Sequence, residues 1–133
     1  SLLSLLAGPT FAQDAGAEAK LSVQLDGLAQ QDTSCRLTFL AQNLTETDIE
    51  ALVFETAAFG SAGAVMSLSL FDFRDLPSQK LRVRQFDLPN TDCGDVGRIL
   101  INGIQSCEGE SLSPDICLDA LVVSARGDVE LLG

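Results

Sequence analysis

The chain has 133 residues, 46% of them apolar, which allows one domain with a real core and argues against wholesale disorder. Nineteen acidic side chains against eight basic ones leave a net charge of -11, a surface that repels phosphate backbones and speaks against nucleic acid as a partner. Histidine, tryptophan and tyrosine are absent and methionine occurs once, so the commonest general base and transition-metal ligand are missing; no metal, no cofactor and no enzymatic activity is expected.

Residues 1–12, SLLSLLAGPTFA, carry no charge. Leu2, Leu3, Leu5 and Leu6 form a short apolar run, Gly8-Pro9 breaks it, and Thr10-Phe11-Ala12 offers a small-residue cleavage site. That pattern reads as the C-terminal part of a secretory signal peptide, too short to span a bilayer. Residues 13–19 then read as a flexible leader and residues 20–133 as the single folded domain, periplasmic or secreted.

Export makes the even set of cysteines, Cys35, Cys93, Cys107 and Cys117, a disulfide set with three possible pairings. Cys107 with Cys117 is preferred because the two bracket a loop holding Gly109, Ser111, Ser113 and Pro114; Cys35 with Cys93 is what remains. No C-x2-C spacing suggests a thiolate metal site.

In chain order, residues 20–28 alternate cleanly, with Leu21, Val23 and Leu25 against Ser22, Gln24 and Asp26, and predict a first strand. Residues 35–42 predict a second, with Cys35, Leu37, Phe39 and Ala41 on one face. Asn43-Leu44-Thr45 is formally a glycosylation sequon and reads more simply as an Asn/Thr turn. Residues 49–59 are apolar on both parities; Val53, Phe54 and Thr56 favour a central strand, while a helix there would make the fold α+β. Residues 64–73 predict a fourth strand, Phe71 and Phe73 on one face and Asp72 and Arg74 opposite.

Residues 79–107 read as strand, tight turn, strand, a pair against which the upstream strands pack. Asp92 to Asp95 suggests a short helical turn within the connection. Residues 96–104 would be buried on both faces if Ile99, Leu100 and Ile101 all lie inside. Ser113 followed by Pro114 marks a helix start of one turn, residues 121–125 the last strand, and residues 127–133 a tail or edge extension. About seven strands at ten-residue spacing with one short helical turn predict an all-β fold, an antiparallel immunoglobulin-like β-sandwich.

The chemistry-bearing candidates are few. Lys80, Arg82 and Arg84 share one strand face at period two, with Arg74 just before them, and would suit a small anion or a lipid headgroup. Equally, such charges blunt an exposed strand or pair with neighbouring carboxylates. The acidic pairs Asp72/Asp75 and Asp92/Asp95 fall short of a calcium loop and fit turn and cap roles.

The runs LSLFDF, RQFDLP and DCGDVGRILIN, with the Cys107/Cys117 loop, resemble a group of small uncharacterised exported proteins of alphaproteobacteria. The strand order is also similar to FxLYD-type immunoglobulin-like envelope domains. Neither resemblance implies an activity or a catalytic residue. The expected function is a periplasmic accessory or protein-binding module whose partner is another envelope protein, the alternative being an anion or headgroup sensor built on Lys80, Arg82 and Arg84.

Overall fold

A computed structural model describes residues 20–133. The signal-peptide and leader segments expected at residues 1–12 and 13–19 lie outside the described residues. Eight strands form two four-stranded sheets packed face to face, a β-sandwich. The first sheet runs in the order β5-β2-β1-β7, from β1 (Leu21–Gln31), β2 (Ser34–Asn43), β5 (Leu81–Leu88) and β7 (Leu121–Ala125). The second runs β4-β3-β6-β8, from β3 (Ala51–Gly60), β4 (Val65–Asp72), β6 (Val96–Glu108) and β8 (Glu130–Leu132).

Period-two alternation sets the inward face of each central strand. On β2 the buried set is Cys35, Leu37, Phe39, Ala41 and Asn43. On β1 it is Leu21, Val23 and Leu25, after which a bulge absorbs Asp26 and shifts the register to Gly27 opposite Thr38. On β3 it is Leu52, Phe54, Thr56 and Ala58, so the β-branched and aromatic residues there win over the helix-forming alanines.

Three differences from the sequence expectations have physical causes. The segment spanning residues 79–107 is not a paired unit: β5 joins β2 in the first sheet and β6 joins β3 in the second. The turn between them is a crossover between sheets, bounded by a 3-10 turn at Cys93–Asp95. The sandwich is also not wholly antiparallel, since β7 lies parallel to β1 and β8 parallel to β6. Parallel neighbours need a long return connection, and helix α1 (Pro114–Ala120) supplies part of it ahead of β7. Leu100 lies outside the core that takes Ile99 and Ile101, because strand alternation turns it to the outer face. Residues 127–133, expected as a tail or an edge extension, contain β8, the edge strand of the second sheet.

Two disulfides lock the stack. Cys35–Cys93 ties β2 to the crossover turn, and Cys107–Cys117 ties the end of β6 to α1, which are the two preferred pairings. Asp92 caps the 3-10 turn through the Gly94 N–H, and Ser113 caps α1 through the Ile116 N–H. No helix among the described residues is long and apolar enough to cross a membrane.

Asn43 holds the end of β2. Its side chain is fully buried, donates to Thr47 O and Leu76 O, and accepts from the Thr45 N–H and hydroxyl. The sequon residue is therefore a turn-building asparagine whose amide is wholly engaged.

Candidate functional site

The predicted basic face lies on β5. Arg82, Arg84, Phe86 and Leu88 share one parity, and it is the inward one; Leu81 and Val83, each 54% exposed, point to solvent. Phe86 decides this orientation, because it joins the aromatic cluster of Phe39, Phe71 and Phe73 between the sheets. Arg84 is carried in with it and is only 7% exposed.

Each of the three Arg84 nitrogens donates to a main-chain carbonyl: Nε to Phe73 O at 2.6 Å, Nη1 to Val83 O at 3.1 Å and Nη2 to Asp75 O at 2.8 Å. Burial, then the nearby Arg74, lower its pKa from the usual guanidinium value, against a raising effect of Asp75. Arg82 is half-buried and donates to Leu81 O, while Lys80 is exposed. The three predicted site residues thus do not present a common open cluster. Arg84 closes off the carbonyls where the chain passes from β4 to β5.

The acidic pairs take local roles. Asp72 accepts from the Arg74 N–H, and Asp92 from Gly94. Arg36 donates from Nε to Asp87 Oδ1 at 2.8 Å on the outer face of the first sheet, holding the Asp87 carboxyl below the usual aspartate range. Arg126 pairs likewise with Asp26, the bulge residue of β1.

The feature that sequence reasoning missed is on the outer face of the second sheet. Counting back from Phe71 and Phe73, strand parity sends Ser67 and Ser69 inward and Leu68 and Leu70 outward, up to a bulge at Met66 where the register against β3 slips by one residue. Leu68 is 74% exposed and Leu70 59%. The cross-strand registers place Leu68 opposite Ala57, Ala57 opposite Leu100, and Leu100 opposite Leu132. One apolar row therefore runs across all four strands.

Charges bracket the row. On one side Phe59 lies opposite Arg98, whose guanidinium stands 5.2 Å from the ring centroid, and Arg98 is followed by Glu130. On the other, Glu55 lies opposite Leu70 and Gly103, beside a bulge that pushes out Asn102. Glu55, Leu68, Leu70 and Asn102 border a shallow groove of about 260 Å³. The signal was present in residues 65–70, where the larger apolar residues alternate with serines, but only the opposite parity was followed to the aromatics.

No protein-family model matches the chain, and no curated protein matches it significantly. Among solved structures, the chain is similar to IrmA from Escherichia coli. The TM-score is 0.64 at 9% sequence identity, over 80% of this chain and 92% of that one. At that identity the likeness shows the fold: a β-sandwich.

Proposed function

We propose that this chain is an exported accessory module, periplasmic or secreted, that acts by binding another envelope protein and not by catalysis. The observation that carries the reading is the Leu68–Ala57–Leu100–Leu132 row, an apolar band across a sheet face in which Leu68 and Leu132 are exposed, Leu100 half-buried and Ala57 buried, with charged residues only at its flanks. Apolar centres with polar rims are how protein-docking surfaces are built, and contiguous exposed apolar patches are uncommon on surfaces without such a role. Two disulfides support placement outside the cytoplasm. A histidine-free inventory supports binding over acid–base chemistry.

The test is affinity capture from an envelope extract, with the protein and its Leu100→Lys variant immobilised side by side. A partner retained by the parent and lost by the variant is the expected result. Recovery of the same set by both, or of nothing above background, overturns the proposal.

A further inference from the structure

Two turns from distant parts of the chain meet at one end of the first sheet. One is the Asp32-Thr33 turn that closes the β1–β2 hairpin; the other is the stretch of the crossover that ends β5 and leads into the 3-10 turn at Cys93–Asp95. Gln30 spans them. Its Nε2 lies 3.1 Å from Asp32 O and 3.0 Å from Ser34 O on the hairpin side, and 3.1 Å from Thr91 O on the crossover side. Its Oε1 accepts the Cys93 N–H at 2.8 Å. Three carbonyls around the nitrogen and an N–H at the oxygen fix the amide in one orientation. A main-chain bond from the Thr91 N–H to Thr33 O, at 2.9 Å, completes the contact.

The amide thus meets the crossover as a neighbouring strand would, giving to Thr91 O and taking from the Cys93 N–H. Gln30 is also the direct cross-strand partner of Cys35, so the two side chains leave the hairpin on the same face. The residue that holds the main chain of Cys93 is paired with the cysteine that Cys93 bridges. The hairpin is local, whereas 58 residues separate Cys35 from Cys93. Local pairings form fast, and closing a long loop costs entropy. While all four cysteines are thiols, Cys107 and Cys117 compete with Cys93 for Cys35.

We infer that Gln30 is a positioning residue for oxidative folding. Its amide docks the crossover on the β1–β2 turn, so that Cys93 reaches Cys35 ahead of Cys107 and Cys117. The chemistry is exchange with a small-molecule disulfide such as oxidised glutathione. One cysteine thiolate attacks it, forming a mixed disulfide and releasing one glutathione; the other attacks the protein sulfur of that mixed disulfide and releases the second. Two protein thiols are oxidised, one glutathione disulfide is reduced, and the two thiol protons pass to the departing glutathiones. Gln30 takes no part in the transfer; it raises the concentration of one thiol at the other.

Equilibration of the full chain with reduced and oxidised glutathione, then acid quenching and peptide mapping, gives an effective concentration for each bridge. Gln30→Met keeps the length of the side chain and removes its hydrogen bonds. With both bonds to the crossover gone, the effective concentration of Cys35–Cys93 should fall about tenfold while that of Cys107–Cys117 holds to within about twofold. Early in refolding of the reduced chain, Cys35 should be bridged to Cys107 or Cys117 more often than in the parent. Gln85→Met, which removes a hydrogen bond to Thr38 elsewhere on the first sheet, should leave the ratio of the two bridges at its parental value.

An unchanged Cys35–Cys93 value or an unchanged early distribution in Gln30→Met overturns the inference. So does an equal fall of both bridges, which would make Gln30 an ordinary stabilising contact, or the same shift in Gln85→Met. The outcome is independent of the docking role, because Gln30 belongs to the first sheet and the apolar row to the second.

Discussion

Phe71 and Phe86 stack face to face with ring centroids 4.3 Å apart and planes within 1° of parallel, joining the edge strand of one sheet to the edge strand of the other. Phe39 meets both rings edge-on at 6.0 Å. Phe73, at 5.2 Å from Phe86, and Phe54, at 4.9 Å from Phe73, complete the cluster. Truncating Phe71, which is buried, should cost about 3–5 kcal/mol, and truncating the half-buried Phe86 less. A double-mutant cycle on Phe71→Ala and Phe86→Ala, followed by urea unfolding, should show a coupling of about 0.5–1.5 kcal/mol. Strict additivity would mean that the stack contributes nothing beyond the area it buries.

Arg84 is a second junction between β4 and β5. Its guanidinium serves Phe73 O, Asp75 O and Val83 O, and Asp75 Oδ1 stands 3.9 Å from Nη2. Removing it strands carbonyls that have lost their donor, so Arg84→Met should destabilise by about 2–4 kcal/mol. Arg84→Lys should recover only part of that, since one ammonium cannot reproduce the fork. Equal stability of the parent and Arg84→Met would show that these hydrogen bonds are replaced by water at no loss.

The features legible in the sequence are those set by local interactions. Alternation in residues 35–42 is local, and β2 follows it residue for residue. The Cys107–Cys117 loop is short and turn-rich, so its pairing was legible too. The partner of β5 was not, because the turn signals at Pro89-Asn90 show where the chain bends but not which sheet it enters next. Nor was the inward turn of Arg84, which follows from Phe86 two residues on finding Phe39, Phe71 and Phe73 from two other parts of the chain. The apolar outer row was hidden for a similar reason. Leu68, Ala57, Leu100 and Leu132 come from four strands, and only the cross-strand register lines them up.

Thr56 on β3 is 5% exposed, and its Oγ1 is a buried side-chain oxygen with no hydrogen-bond partner among the described residues. A hydroxyl in that position keeps the cost of leaving water without the return of a bond. Thr56→Val replaces it with a methyl of similar shape and should raise stability by about 1 kcal/mol. Denaturant unfolding with an unchanged slope is the measurement. Destabilisation would show that the hydroxyl is satisfied in solution.

The two disulfides differ in the chain they enclose, with separations of 58 residues for Cys35–Cys93 and 10 for Cys107–Cys117. Constraint of the unfolded chain then assigns about 4 kcal/mol to the first and about 3 kcal/mol to the second. Paired Cys→Ala substitution, one bridge at a time, should therefore lower the unfolding midpoint more for the long loop. The reverse order would place the stabilisation in native contacts around α1 and the end of β6, which the short bridge joins.

The Arg36–Asp87 pair gives the fold an acid-dependent contact. The hydrogen bond from Arg36 is the main cause of the lowered Asp87 pKa, with direct charge attraction adding to it and desolvation opposing. A carboxyl whose pKa is lower folded than unfolded stabilises the fold fully above its unfolded pKa, and that contribution is lost as pH falls through the folded value. The window is therefore the interval below the ordinary aspartate range, and neutral pH lies well above it. Carboxyl-carbon NMR titration should show Asp87 titrating below an ordinary aspartate, and Arg36→Gln should return it to the usual range. Because both side chains are solvent-exposed on the outer face of the first sheet, added salt should narrow the difference. An Asp87 titration unmoved by Arg36→Gln would mean that the ion pair seen across β2 and β5 is not held in solution.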